Sequence, residues 1–144
     1  MHAQPGQRRK PPAPSYDRML ETVRYDGAYP TRERAAQAVH TVLGALGGQL
    51  GADLRAELAA RLPAEAADAL TAQQPAAQSR TGWGFVQDIA GRTGVSPAVA
   101  RWDTGAVLST VAALAGPDLL TLLIGGLPSG YALLFGRAEL ARAA

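Results

Sequence analysis

Histidine, the side chain best suited to acid–base catalysis and metal binding near neutral pH, is scarce in this chain. It occurs only as His2 and His40. Glu33 and Asp53 are nearby acids, but neither lies one helical turn from His40, and a metal site needs several converging ligands. We therefore expect His40 to lie half-buried at the edge of a helix, and we predict no metal or cofactor site.

The serines and acids form no recognisable catalytic pattern. Ser109 and Ser129 lack the glycine-framed turn of a nucleophilic serine and a histidine partner in a known motif. The stretch GALGGQLG lacks the terminal lysine and the preceding strand of a phosphate-binding loop. Asp88 and Asp103 could form a carboxylate pair, but acids are common on helix surfaces. We expect no catalytic residues, and a hydrolase is the third of three functional hypotheses.

The two tryptophans are candidates for binding rather than for catalysis. Tryptophan is enriched at the centres of protein interfaces, but it also packs in cores and at helix starts. Trp83 lies in TGWGF just before a predicted helix, and we expect it to pack there. Trp102 lies between Arg101 and Asp103, which indicates a half-exposed side chain that a partner can reach.

A basic, proline-rich segment precedes the predicted helices. Arg8, Arg9 and Lys10 carry three positive charges, whereas the whole chain has a net charge of +2, so the rest is nearly neutral. We predict that residues 1–15 are disordered, because they have too little apolar surface to bury. A weak, salt-sensitive attraction of this tail to nucleic acid or the ribosome is the second functional hypothesis. The stretch RRKPPAP also fits a proline-rich docking motif.

Composition favours helices over strands. Hydrophobic residues make up 47% of the chain, alanine is abundant, and β-branched and aromatic residues are scarce. The chain contains no cysteine, which excludes disulfides and thiolate metal sites and makes a reducing cytoplasm the simplest location. The abundance of Ala, Gly, Arg and Pro is typical of a bacterial protein from a GC-rich genome.

The hydrophobic pattern occurs twice. Leu62-Pro63 recurs as Leu127-Pro128, and Val42-Leu43 recurs as Val107-Leu108 at the same separation. In each copy the spacing of apolar residues predicts a medium helix, a long helix and two short ones. The chain therefore contains two copies of one helical unit.

The two copies should build one domain. Thr31 and Ser96 precede the long helix of each copy, where a hydroxyl side chain can cap the helix. Neither copy buries its apolar residues well alone. We predict an all-α fold in which two tandem four-helix repeats, residues 16–75 and 76–144, pack with pseudo-two-fold symmetry into one compact helical bundle.

Small residues line one face of each long helix. His40 shares a face with Gly44 and Gly47, and Gly105 lies on the corresponding face in the second repeat. Glycine in the middle of a helix costs about 1 kcal/mol relative to alanine. We therefore expect Gly105 to mark a close approach of two helices.

The seventh predicted helix, around Leu119 to Ile124, is more apolar than its counterpart. It has Leu120 and Leu122 where the first repeat has charged residues, and Ile124 widens the apolar surface. Such a helix is either central in the bundle or in contact with another chain. We predict a homodimer, or a groove for a protein partner, that includes Leu120, Leu122 and Ile124.

An uncharged stretch at residues 119–136 raises the question of a membrane span. A spanning helix needs about 20 continuous apolar residues. Glycines and Pro128 divide the stretch into two short pieces, and the aligned stretch of the first repeat is rich in charges. We expect no membrane span.

The second repeat carries a distinctive series of short motifs. They are Phe85-Val86, Ile89-Ala90, Gly94, Ala106-Val107-Leu108, Leu127-Pro128, Tyr131 and Leu134-Phe135. This series resembles the family called domain of unknown function 2267, over about residues 16–137. The resemblance implies an all-helical tandem fold and brings no catalytic residues. We interpret the chain as a non-catalytic protein-interaction or scaffolding module, and self-association is one form of that role.

Overall fold

The structure is a computed structural model, and it describes residues 15–72, 75–76 and 78–137. The predictions of a disordered tail and of binding through Arg8, Arg9 and Lys10 concern residues 1–14, which lie outside the described residues. Ser15, which the sequence analysis places in the tail, instead begins the first helix: its side chain accepts a hydrogen bond from the Arg18 backbone N–H at 3.1 Å.

In the part of the chain that the structure describes, every regular element is a helix, which confirms the all-α fold class. The helices are α1 (Tyr16–Gly27), α2 (Arg32–Gln49), α3 (Ala52–Ala59), α4 (Ala64–Thr71), α5 (Gly82–Thr93), α6 (Pro97–Gly125) and α7 (Tyr131–Leu134).

Hydroxyl side chains begin the four longest helices. The capping residues of α1, α2, α5 and α6 are Ser15, Thr31, Thr81 and Ser96. Each accepts a hydrogen bond from the backbone N–H three residues on, which satisfies a donor that the helix leaves free. A cap of this kind contributes about 1 kcal/mol to stability. The predicted caps Thr31 and Ser96 are therefore confirmed.

Helix α6 is broken at Gly116. This residue has φ 83° and ψ 164°, a backbone conformation that glycine adopts far more easily than other residues. Pro117 follows and has no N–H to donate, so residues 97–115 and 117–125 are two helical segments joined by a kink. The guanidinium of Arg61 donates a hydrogen bond to the Ala115 carbonyl at this break.

Helices from both ends of the chain share the core. Helix α2 packs against α1, α4, α5 and α6, and α6 also packs against α1, α3, α5 and α7. The largest fully buried side chains come from nearly every helix and include Leu43, Leu46, Leu58, Leu70, Phe85, Leu108, Leu123 and Tyr131.

Among the described glycines, the one that marks a close helix contact is Gly47 rather than Gly105. A Cβ on Gly47 would overlap the backbone carbonyl oxygen of Leu70, so α2 and α4 touch there. A Cβ on Gly105 would meet only the mobile end of Arg101, whose Nη1 would lie 2.9 Å away. The prediction for Gly105 is therefore wrong, because this residue lies in a surface groove rather than between packed helices.

The side chains of His40 and Trp83 are more exposed than predicted. His40 is exposed rather than half-buried, and its Nε2 lies 3.0 Å from the hydroxyl of Tyr16. Trp83 is 59% exposed, so its predicted packing is wrong. The reason is that Gly82, rather than Trp83, faces the rest of the chain: its backbone lies against that of Gly130.

Leu120 is only 2% exposed, so it belongs to the core and cannot form part of an external interface. The prediction for this residue is wrong because α6 packs against α3 and α7 as well as against the longer helices, and Leu120 is part of the core that they share. Leu122 is 60% exposed and Ile124 is half-buried. For these two side chains the predicted interface stays a prediction.

Among the described helices, α6 alone is long and apolar enough to cross a membrane. The central helix of a protein core passes the same test, and half of its apolar window is buried inside the protein. The length and composition of α6 are therefore weak evidence for a span.

Candidate functional site

A surface groove runs between α1 and α6. It consists of two cavities of about 250 and 210 Å³ that share Asp26 and Ser109. From α1 it is lined by Arg18, Met19, Thr22 and Asp26. The α6 residues that matter below are Arg101, Trp102, Gly105, Ser109, Ala113 and Leu114. We call this feature the α1–α6 groove.

The groove exists because α6 has small side chains on the face beside α1. At about 100° per residue, Gly105, Ser109 and Ala113 lie on the same face as Trp102. Their short side chains leave space above the helix, while buried Met19 closes the floor from the side of α1. The result is a shallow, largely apolar surface with Trp102 near one end.

Trp102 is both exposed and held in place. Its side chain is 55% exposed, which agrees with the half-exposed position predicted from the sequence. Its Nε1–H donates a hydrogen bond of 2.8 Å to the Gly27 carbonyl at the end of α1. The indole therefore presents apolar surface to solvent in one fixed orientation, so contact with it would cost little side-chain entropy.

Two arginines of the groove have no partner for their guanidinium groups among the described residues. Neither Arg18 nor Arg101 makes a side-chain hydrogen bond or an ion pair there. Sequence reasoning gave Arg18 no role and treated Arg101 only as a neighbour of Trp102. Sequence spacing does not predict that the two arginines line the same groove, because only the packing of α1 on α6 brings them to one surface.

Asp103 points away from this groove and joins α6 to the loop before α2. The residue is 8% exposed. Its carboxylate accepts a hydrogen bond of 2.5 Å from the hydroxyl of Tyr29 and one of 2.9 Å from Nη2 of Arg34. The guanidinium of Arg34 also lies over the Tyr29 ring, 4.9 Å from its centre. We call Tyr29, Arg34 and Asp103 the buried acid cluster.

A cleft of about 390 Å³ borders the buried acid cluster, and Thr41, Ile89 and Thr93 are among its walls. Asp103 does not form the carboxylate pair with Asp88 that the sequence allows. Asp88 instead pairs with Arg92 at 3.0 Å and with Arg80 at 3.6 Å. Each acid therefore has its own arginine partners, and the buried acid cluster joins α6 to α2 and to the loop before it.

Burial and the hydrogen bond to Asp103 raise the pKa of the Tyr29 hydroxyl far above its usual range. Burial also raises the pKa of Tyr131, whose hydroxyl donates to the Arg80 carbonyl at 3.0 Å. Both phenols are thus kept neutral as hydrogen-bond donors.

Alkaline pH should destabilise the protein through these tyrosines. The pKa of Tyr29 in the folded state is raised above its ordinary value of about 10. The contribution of the neutral hydroxyl to the free energy of unfolding is therefore complete below pH 10 and is lost as the pH rises beyond 10 toward the folded-state pKa. Each such tyrosine can add up to about 1.4 kcal/mol per pH unit to the loss. Tyr29→Phe should therefore reduce the fall in thermal midpoint between pH 9 and pH 12. Exposed Tyr25 is the matched control: Tyr25→Phe should leave that fall unchanged, and an equal effect of both variants would contradict the prediction.

The described residues contain no group of three or more His, Asp or Glu side chains that could hold a metal ion. Of the residues singled out from the sequence, the structure places Trp102 in the α1–α6 groove. Leu122 and Ile124 lie beyond the break in α6 and do not line the groove.

These features define a small all-helical protein with one shared core and a grooved surface. Residues 16–134 match the family described as Uncharacterized conserved protein (DUF2267), and the chain belongs to that family. The resemblance seen in the motifs of the second half is thereby confirmed. Among curated proteins, no sequence matches the chain.

Proposed function

We propose that this chain is a non-catalytic protein-interaction module that binds a partner in the α1–α6 groove. The observation that carries the proposal is the exposed, hydrogen-bonded indole of Trp102 at the edge of a largely apolar surface. Protein interfaces commonly combine an aromatic anchor, an apolar centre and a charged rim. The groove has each of these parts.

The groove is better suited to binding than to catalysis. Asp26 is the one carboxylate among the described residues that line it. The hydroxyl of Ser109 donates to the Ala106 carbonyl of its own helix at 3.3 Å and makes no hydrogen bond with Asp26 or with another base among those residues. Neither group is activated in the manner of a general base or a nucleophile.

The role of Trp102 can be tested against the second exposed tryptophan. Proteins captured by the tagged full chain would be identified, the partner purified, and its Kd measured for each variant. Trp102→Ala should weaken binding by about 30-fold, as expected for an aromatic anchor. Trp83→Ala removes an equally exposed indole outside the groove and should leave Kd unchanged. Equal affinity of all three proteins would overturn the proposal.

We also propose that the module consists of two tandem four-helix repeats related by pseudo-two-fold symmetry. Two helix interruptions at aligned positions support this arrangement. Gly51 precedes α3 in the first half, and Gly116 breaks α6 at the aligned position in the second. The carbonyls just before them, of Leu50 and Ala115, both accept hydrogen bonds from arginine side chains.

Self-association is a second candidate, favoured by one observation. Leu122 is 60% exposed on the second segment of α6, with half-buried Ile124 nearby in sequence. If this surface forms a homodimer, Leu122→Glu should convert a dimeric parent into a folded monomer, as measured by light scattering. Leu133→Glu changes an exposed leucine on α7 and should leave the mass unchanged. A monomeric parent would rule out this form of the function.

The remaining hypotheses from the sequence stay predictions. Attraction of nucleic acid or the ribosome by Arg8, Arg9 and Lys10 concerns residues that the structure does not describe. A hydrolase gains no support from the groove, for the chemical reasons given above. We therefore rank the interaction module first.

A further inference from the structure

We propose that the partner of the α1–α6 groove is an acidic amphipathic helix, whose carboxylates pair with Arg18 and Arg101 and whose apolar side chains cover the groove floor. This inference rests on the proposed function and specifies the chemistry of the partner. Three observations carry it: the unpaired arginines, the orientation of Arg101, and the length of the groove.

Most of the described arginines outside the groove have side-chain partners. These arginines pair with carboxylates or donate to carbonyl oxygens at helix ends. Those with such partners are Arg24, Arg32, Arg34, Arg55, Arg61, Arg80 and Arg92. Among the described residues, the guanidinium groups without such partners are those of Arg18, Arg101 and Arg137. Two of these three line the same groove, which therefore presents unpaired positive charge to a partner.

Arg101 is directed into the groove by Gly105. The arginine lies one turn before Gly105 on α6, and its Nη1 would be 2.9 Å from a Cβ at that position. The guanidinium thus rests over the glycine, where a larger side chain would displace it. The role of Gly105 therefore differs from the helix packing expected from the sequence. It leaves room beside Trp102 for the guanidinium of Arg101.

The dimensions of the groove suit a helix of about three turns. Arg18 and Asp26 are on one face of α1, about 12 Å apart at 1.5 Å per residue. On α6, Arg101 and Ala113 are about 18 Å apart by the same measure. The small side chains of Ser109 and Ala113 allow a helix to approach closely. A carboxylate toward each end of such a helix would reach one arginine.

A nucleic acid fits this groove less well than an acidic helix. Asp26 lies where the two cavities meet and would repel a phosphate backbone that follows the groove. The floor beside Arg18 is apolar, with Met19 and Leu114 among its residues. An acidic amphipathic helix can place apolar residues on this floor and beside Asp26 while its carboxylates lie at the ends.

The test uses three designed helical peptides of about 16 residues with one apolar face. They differ only at the flanking positions, which carry Glu, Gln or Lys. Binding to the full chain would be measured by calorimetry and located by NMR shifts of the groove residues. The Glu peptide should bind at least 10-fold more tightly than the Gln peptide and should weaken as salt is raised, and the Lys peptide should bind least.

Variants of the chain test whether a change in peptide binding comes from a lost positive charge or from a disturbed fold. Arg18→Ala and Arg101→Ala should each weaken the Glu peptide by about 5-fold and leave the Gln peptide unchanged. Arg137→Ala, which removes an exposed arginine outside the groove, should change neither. Gly105→Ala keeps every charge and improves helix propensity, so it should fold normally and still weaken the Glu peptide by displacing Arg101.

Equal binding of the Glu and Gln peptides in the groove would overturn the acidic partner but leave the proposed function intact. If none of the peptides binds while Trp102→Ala still abolishes capture of a natural partner, the acidic helix is likewise overturned and the groove remains the site. A single-stranded RNA that binds more tightly than the Glu peptide, and loses affinity in Arg18→Ala, would replace the proposal with nucleic-acid binding.

Discussion

Replacing Gly47 by alanine should destabilise the protein by about 3 kcal/mol. The added Cβ would overlap the backbone carbonyl oxygen of Leu70, which cannot move as a flexible side chain would. Helices α2 and α4 would have to separate, and the Gly47 carbonyl would be displaced from its 2.9 Å hydrogen bond with Arg55. Urea unfolding followed by circular dichroism measures the loss as a fall in the transition midpoint.

Gly91 provides the matched control for this substitution. It is also a helical glycine, on α5, but a Cβ there would meet no atom within 4 Å. Gly91→Ala should stabilise the protein by up to about 1 kcal/mol, because alanine has the higher helix propensity. If the two variants had the same stability, the contact between α2 and α4 would not be as close as described.

Replacing Asp103 by alanine should cost about 3 kcal/mol. The change leaves the buried hydroxyl of Tyr29 without its acceptor and removes the carboxylate that faces Arg34. An unsatisfied buried donor is costly because water cannot replace the lost acceptor. Thermal and urea unfolding should both show the loss.

Asp88→Ala is the control, since Asp88 pairs with two partly exposed arginines and should cost about 1 kcal/mol or less. A double variant of Tyr29→Phe and Asp103→Ala should cost less than the sum of the single changes, because both remove the same hydrogen bond. Additive effects, or equal costs at Asp88 and Asp103, would show that the buried acid cluster contributes little.

Helix positions could be predicted from the sequence because their causes are local. The apolar spacing of Met19, Leu20 and Val23 predicts the buried face of α1, and all three side chains are buried. Thr31 and Ser96 cap helices through atoms three residues away. Such signals require only the geometry of one helix.

Burial at two apolar positions could not be predicted in the same way. Leu120 and Leu122 have the same side chain and lie two residues apart, yet one is 2% exposed and the other 60%. The difference depends on which helices surround the second segment of α6. The position of Trp83 at a helix start predicts packing, but the close approach of Gly82 to Gly130 leaves its indole outside.

The candidate site depends on contacts between distant parts of the chain. Trp102 was singled out from its charged neighbours, but its hydrogen bond to Gly27 joins α6 to the end of α1. Tyr29, Arg34 and Asp103 likewise come together only when α6 packs beside α2. No residue spacing within one helix encodes these pairs, so the groove and the buried acid cluster required the structure.

The break at Gly116 should divide α6 into two segments that differ in amide hydrogen exchange. Helical cooperativity passes along a chain through successive backbone hydrogen bonds, and the non-helical Gly116 with the missing N–H of Pro117 interrupts that succession. Residues 97–115 and 117–125 can therefore open with different free energies. Since Arg61 holds the Ala115 carbonyl from the loop between α3 and α4, the end of the first segment is tied to a part of the chain more than fifty residues earlier. Loosening that loop should first speed amide exchange in the last turn before the break, which includes Ala113 and Leu114 of the groove, while the amides around Trp102 stay protected.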